Sequence, residues 1–226
     1  MRGLRSRRRR GREGLFVAEG EDLVAAALDA GLDPVLALVD AERPALEERL
    51  RDAERVDPRL LAEVSSLGHP PRVVAVFRRD RLQTGCRDAT LALWRVGDPG
   101  NVGTLLRAAD AFGAGVALSA GCADATSPKA LRASAGAAFR VPVARFDEAP
   151  RPRVALVARG GTPLHDLELG HRVTFVLGAE REGLPDDVLG GCDALATIPQ
   201  SGDAESLNVA MAGTVALYEL SRRSAC

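Results

Sequence analysis

From residue 206 to residue 218 the chain carries no charged side chain: Ser-Leu-Asn-Val-Ala-Met-Ala-Gly-Thr-Val-Ala-Leu-Tyr. At helical spacing these groups point to nearly every side, and a helix apolar all round must be covered all round. The run is too short for a bilayer span, which needs about 20 apolar residues, so the cover must be protein. In a chain of 226 residues one cover is a sheet. The other is read as a second copy of the chain, the alternative being the deep core of a monomer. Ser206 stands at the expected start of this helix as an N-cap residue type. Asn208, in the first turn of so apolar a helix, is harder to assign to packing.

The rest of the chain alternates strand-like and helix-like patterns, which predicts an α/β fold. Strands are expected at 15–17, 35–39 and 72–77, with helices at 20–30, 44–55 and 58–67. Residues 79–89 are polar and aperiodic and read as a linker. Beyond them strands are expected at 90–96, 115–119, 154–158, 173–177 and 194–198. The continuous apolar run Val-Thr-Phe-Val-Leu at 173–177 suits a parallel sheet buried on both faces. The organisation is thus a basic tail (1–12), a small α/β unit (13–78), a linker (79–89) and a larger α/β unit (90–226).

Charge is uneven. Residues 1–12 hold seven arginines and no acid, whereas residues 13–80 hold eight arginines against fifteen Asp and Glu. A block of like charges repels itself, so the tail is expected to be disordered without an anionic partner such as RNA. Cys86, Cys122, Cys192 and Cys226 form no C-x-x-C pair, and His69, His165 and His171 do not cluster with them. That spacing argues against a metal site and against a disulfide framework, and a reducing compartment fits best. No apolar signal segment follows the charged start and no spanning run occurs, so a soluble, cytoplasmic protein with no membrane partner is expected.

Three segments stand out. Asp98-Pro-Gly-Asn-Val-Gly-Thr-Leu-Leu-Arg-Ala-Ala-Asp-Ala-Phe-Gly113 reads as a turn into a helix opening near Asn101, with Arg107 off the buried stripe. The N-terminus of a helix that follows a strand can hold an anion, and the alternative is a plain strand–turn–helix with Asn101 as N-cap. Val176-Leu-Gly-Ala-Glu-Arg-Glu-Gly183 places Gly178 and Glu180 at a strand end, where α/β proteins bind ligands. Ile198-Pro-Gln-Ser-Gly-Asp-Ala-Glu-Ser-Leu-Asn-Val-Ala is a loop entering the apolar helix.

In order and spacing these segments resemble the SpoU-type (TrmH-like) branch of the SPOUT RNA methyltransferases, with Asp98 where asparagine is usual and Gln200 where methionine is frequent. The 127–142 and 14–20 segments are also similar to that family, so the likeness spans the chain. It implies a SPOUT domain with a parallel sheet and a C-terminal trefoil knot, preceded by a ribosomal-protein-like RNA-binding domain, and a homodimer. It also implies S-adenosylmethionine as cofactor, held by Leu177, Gly178 and Gly183 from one side and by Ile198, Ser206, Leu207 and Asn208 from the other, with no metal. Asn101, Arg107, Glu180, Ser206 and Asn208 are the implied catalytic set. The implied reaction is 2′-O-methylation of a ribose in structured RNA, ribosomal RNA before tRNA, with a non-catalytic RNA-binding paralogue as the other alternative. A dinucleotide-binding enzyme is disfavoured, because no G-x-G-x-x-G follows a first strand.

Overall fold

The computed structural model describes residues 1–202 and 205–224; Cys226 lies outside them. The N-terminal unit runs α1 (Arg7–Glu13), β1 (Leu15–Glu19), α2 (Glu21–Asp29), β2 (Leu36–Asp40), β3 (Glu54–Val56), α3 (Pro58–Val64) and β4 (Val73–Arg78). Its sheet has the order β1-β4-β2-β3, with β4 antiparallel to both β1 and β2. The central strand β4 is apolar from Val73 to Phe77 because both its faces are covered there. Val73, Ala75 and Phe77 turn to one side, and Val74 and Val76 to the other, against Leu61 of α3.

Two expectations fail here. Residues 44–53 form turns and bends rather than a helix, and 54–55 already belong to β3. Asp40 Oδ1 accepts from the backbone N–H groups of Glu42 and Arg43, at 2.8 and 3.0 Å, and Leu46 adopts φ 57°, which a right-handed helix does not allow. The arginine run is not a disordered tail. Residues 7–13 are helical, and Arg9, Arg10 and Arg12 find acidic partners. Arg10 is 2% exposed and donates to Asp124 Oδ2 at 2.9 and 2.7 Å and to the carbonyls of Leu4 and Arg5. Arg9 pairs with Glu13, and Gly14 closes the helix at φ 65°.

The second unit contains β5 (Ala89–Leu93), α4 (Pro99–Ala111), β6 (Gly115–Leu118), α5 (Pro128–Ser134), β7 (Val143–Arg145), β8 (Arg153–Leu156), β9 (Thr162–Pro163), β10 (Val173–Leu177), α6 (Asp186–Leu189), β11 (Ala194–Thr197) and α7 (Val209–Ser224). Its seven strands pair in parallel in the order β7-β6-β5-β10-β8-β11-β9. All five residues of β10 are buried. β7 and β9, three and two residues long, are too short for a periodic signal. Phe139 of this unit lies 5.9 Å from Phe16, which stacks on Phe77 at 5.7 Å, so the two units share one core.

Both expected helix starts shift. α4 is capped by Asp98, whose Oδ1 accepts from Gly100 and Asn101 N–H at 2.6 and 3.0 Å, and not by Asn101. α7 opens after Asn208, whose Oδ1 accepts from Ala210 and Met211 N–H at 2.9 and 3.4 Å, and not at Ser206. On one face of α7, Ala210, Ala216, Leu217 and Leu220 are buried, and Gly213 lets it close on Leu105 of α4. On the other, Met211 (63%), Val215 (39%) and Tyr218 (57%) are exposed, so a single chain does not cover the helix. Among the described residues no helix is long and apolar enough to cross a membrane.

Candidate active site

The strand ends β8, β10 and β11 and the start of α7 enclose a cavity of about 460 Å³, within the range of small-molecule sites. It sits at the carboxyl ends of the parallel strands, where an open α/β sheet binds ligands. From the turn after β10 come Leu177, Gly178, Glu180 and Gly183. From the loop before α7 come Ile198, Ser206, Leu207 and Asn208. Sequence reasoning missed the end of β8 (Leu156, Val157 and Ala158), Ala212 on α7, and Gln200, noted only as a departure. The 173–198 pattern does not say which strand adjoins β11; only the crossed sheet order brings β8 to the site.

The turn after β10 is closed by backbone. Ala179 and Gly183 exchange N–H···O bonds of 3.1 and 2.9 Å, and Gly183 takes φ 67°. Gly178 is required by close approach: a Cβ there would lie 2.3 Å from the Gly183 carbonyl carbon and 2.6 Å from Leu184 N. These are main-chain atoms that cannot swing away.

One polar chain joins all three segments. Asn101 Nδ2 donates to Glu180 Oε1 at 2.9 Å, and Asn208 Nδ2 donates to Asn101 Oδ1 at 3.2 Å. Glu180 also accepts weakly from the N–H groups of Gly97 and Asp98 at 3.4 and 3.3 Å. Partial burial alone would raise the Glu180 carboxyl. The hydrogen bonds from Asn101, its own backbone, Asp98 and Gly97 outweigh it and hold the carboxyl below its usual range. Glu180 is therefore an anion at neutral pH. Asn208 spends its oxygen on capping α7 and its amide on Asn101, so it fixes the helix start to α4. Asp98 also pairs with Lys129, the chain's single lysine, at 2.7 Å.

Gln200 Oε1 is buried at the cavity wall with no hydrogen-bond partner among the described residues. An unmet buried acceptor is costly, and a ligand carrying an N–H group would satisfy it. Arg107 is not among the cavity residues. It lies on α4 about 9 Å along the axis from Asn101, taking a rise of roughly 1.5 Å per residue. Its side chain is exposed, with no hydrogen bond or ion pair among the described residues. A larger cavity of about 760 Å³, beside Asp88, His171 and Leu217, opens at the opposite ends of the strands and touches the first segment only at its far end, Phe112 and Gly113.

Comparison with known proteins agrees with this geometry. Residues 88–218 match the SpoU rRNA Methylase family, and residues 1–75 match the MRM3-like substrate binding domain. An uncharacterized tRNA/rRNA methyltransferase of Synechocystis sp. is 32% identical over 99% of this chain and 89% of its own length. The 23S rRNA (guanosine(2553)-2′-O)-methyltransferase RlmP of Bacillus subtilis is 30% identical over 96% of this chain and 92% of its own. The crystal structure of the SpoU methyltransferase AviRb from Streptomyces viridochromogenes, in complex with the cofactor AdoMet, superposes with a TM-score of 0.86 at 30% identity. It covers 98% of this chain and 95% of that one. With the family match spanning the whole cavity and its polar chain, the protein belongs to the SpoU rRNA methylase family.

Proposed function

We propose that this chain methylates a ribose 2′-hydroxyl of ribosomal RNA, using S-adenosylmethionine bound in the cavity between the Gly178 turn and the Ser206 loop. The observation that carries this reading is the Glu180–Asn101–Asn208 chain, which ties the three segments together at that cavity. The cavity suits the donor chemically. Leu177, Ile198 and Leu207 supply apolar walls, Gly178 and Gly183 allow close main-chain approach, and Gln200 offers an unmet acceptor. Bound there, S-adenosylmethionine supplies an electrophilic methyl group on a sulfonium.

The chain's own task is then positioning, since a free hydroxyl is a weak nucleophile and orientation dominates. The Arg107 guanidinium carries N–H donors only and no acceptor atom. We assign it to hold an RNA phosphate and aim the attacking oxygen, not to accept the proton. Asn101, oriented by Glu180 and Asn208, retains one amide N–H for substrate, and Ser206 adds a hydroxyl at the rim. The crossed sheet order, with β10 between β5 and β8 and β8 between β10 and β11, supports the expected knotted threading.

Ribosomal RNA is preferred because the relatives matched over nearly the full chain include RlmP and a 23S rRNA (uridine(2479)-2′-O)-methyltransferase. The structure described for 2-OH methylation of C/U34 on tRNA covers only 61% of this chain. We place the reaction in the cytoplasm. Deleting the gene and mapping 2′-O-methylation across total RNA tests the reading: one ribosomal position should lose its methyl group. An unchanged map, or loss confined to tRNA, would reject it.

Two further outcomes follow. Gly178→Ala forces the turn open and should weaken donor binding at least about tenfold, some 1.4 kcal/mol. Calorimetry with S-adenosylmethionine measures it, and wild-type affinity would show that the turn does not shape the site. The exposed Met211, Val215 and Tyr218 face is assigned to a homodimer. Light scattering of the wild type should give twice the 23.8 kDa chain mass, and Met211→Glu with Tyr218→Glu should give one chain. A double variant that stays dimeric would place the interface elsewhere.

A further inference from the structure

We propose that Arg95 and the arginine helix α1, meeting at the turn 119–123, form a track that holds the phosphodiester backbone of the RNA, running from the rim of the active site to the N-terminal unit. The proposal rests on the methyltransferase reading and adds to it the path by which substrate crosses between the two units.

Arg95 is one of three non-glycine residues with positive φ among the described residues, at 53°. Such backbone is sparsely populated and collects at active sites and ligand clamps. Here it follows β5 and stands two residues before Gly97, whose N–H reaches Glu180. The Arg95 N–H donates to Ser119 Oγ at 2.8 Å. Its side chain lies across Gly121, where a Cβ would sit 3.3 Å from Arg95 Cγ and 3.5 Å from Nε. The left-handed turn thus directs a long cation over the β6–α5 turn, away from the cavity. Arg95 is exposed, and no acid pairs with it among the described residues.

The far side of the same turn receives α1. Arg7 Nη1 donates to the carbonyl of Cys122 at 2.9 Å, one residue from Gly121. Arg10 and Asp124 pin the helix there, and a groove of about 400 Å³ runs between α1 and the turn, past Arg7, Arg79 and Ser119. The acids near the track are already engaged. Asp124 is buried against Arg10, Arg79 and Thr126, and Glu13 serves Arg9 and Arg12. That leaves Arg7, Arg8 and Arg95 exposed with no acidic partner among the described residues. A guanidinium keeps up to five donors and binds phosphate in a fork. Held on a pinned helix and on a fixed turn, these three present a line of such forks.

The test is binding of the protein to a radiolabelled 23S ribosomal RNA transcript, by filter retention between about 50 and 200 mM salt. Each phosphate contact contributes roughly 0.7–0.9 to the slope of log K against log salt. The triple variant Arg7→Gln, Arg8→Gln, Arg95→Gly should lower that slope by about 2 and weaken binding at the higher salt about tenfold or more. Glycine at position 95 keeps the turn unstrained. Arg95→Lys should hold the slope, because the charge remains. Arg172→Gln, which removes an exposed charge at the opposite end of the strands, should leave the slope unchanged. Calorimetry with S-adenosylmethionine should give one affinity for all of them. An unchanged slope in the triple variant, or an equal loss in Arg172→Gln, overturns the track. A wild-type protein that ignores the donor defeats the enzymatic reading, whatever the RNA data say.

Discussion

Arg107→Ala should lower methyl transfer by at least about a hundred- to a thousandfold, the usual cost of removing one preorganised charge from a transition state. Donor affinity and folding should stay as they are. The separation follows from where the residue sits. Arg107 is exposed on α4, outside the cavity walls and free of ion pairs among the described residues. Surface positions of this kind shift stability by no more than about 0.5 kcal/mol. The measurement is transfer of tritium from the labelled donor into ribosomal RNA, with calorimetry of donor binding beside it. Arg107→Lys should recover only part of the rate, because an ammonium lacks the planar fork. Full transfer in Arg107→Ala would remove the residue from the mechanism.

Arg10→Ala should cost about 3 kcal/mol of stability. Breaking a buried pair strands a charge, typically at about 3–5 kcal/mol, and Arg79 remains 3.4 Å from Asp124 to soften the loss. For a chain of this size that is a drop in Tm of about 6–12 °C. The acid side supports the same reading. Burial alone would raise the Asp124 carboxyl, but the hydroxyl and N–H of Thr126, with Arg79 and Arg10, hold it below its usual value. A carboxyl whose folded pKa lies below its unfolded one stabilises fully above the ordinary carboxylate range. That contribution is lost as the pH falls through the folded value. The variant should therefore lose part of the stability difference between pH 6 and pH 3 that the wild type shows. Differential scanning calorimetry across that range decides it, and a Tm within a degree of wild type would mean that α1 is not held by this pair.

The site was more legible in the sequence than its supports were. Gly178, Glu180 and Asn208 stand at strand ends and a helix start whose apolar neighbours show clear periods, so their elements could be placed to within a few residues. β10 could be bounded from its uninterrupted apolar run. The caps were displaced because Asp98 and Asn101, like Ser206 and Asn208, are competing cap residues within three positions of each other, and only the folded turn chooses between them. Residues 44–55 have the composition of a helix, but only Ala45 and Leu50 of that stretch are buried. Too little apolar surface is covered to outweigh the Asp40 turn. The arginine run misled for the opposite reason: its order comes from Asp124, far away in the chain.

That distance bears on synthesis. Arg10 is made 114 residues before Asp124. At about 5–20 residues per second, the interval is roughly 6–23 s. Throughout it the nascent helix has Glu13 as its one acid and lacks the Arg10 partner, while the surrounding ribosome offers phosphate on every side. Docking of α1 therefore comes late, as the step that withdraws a cationic leader from its birthplace and turns it into a strut between the two finished units.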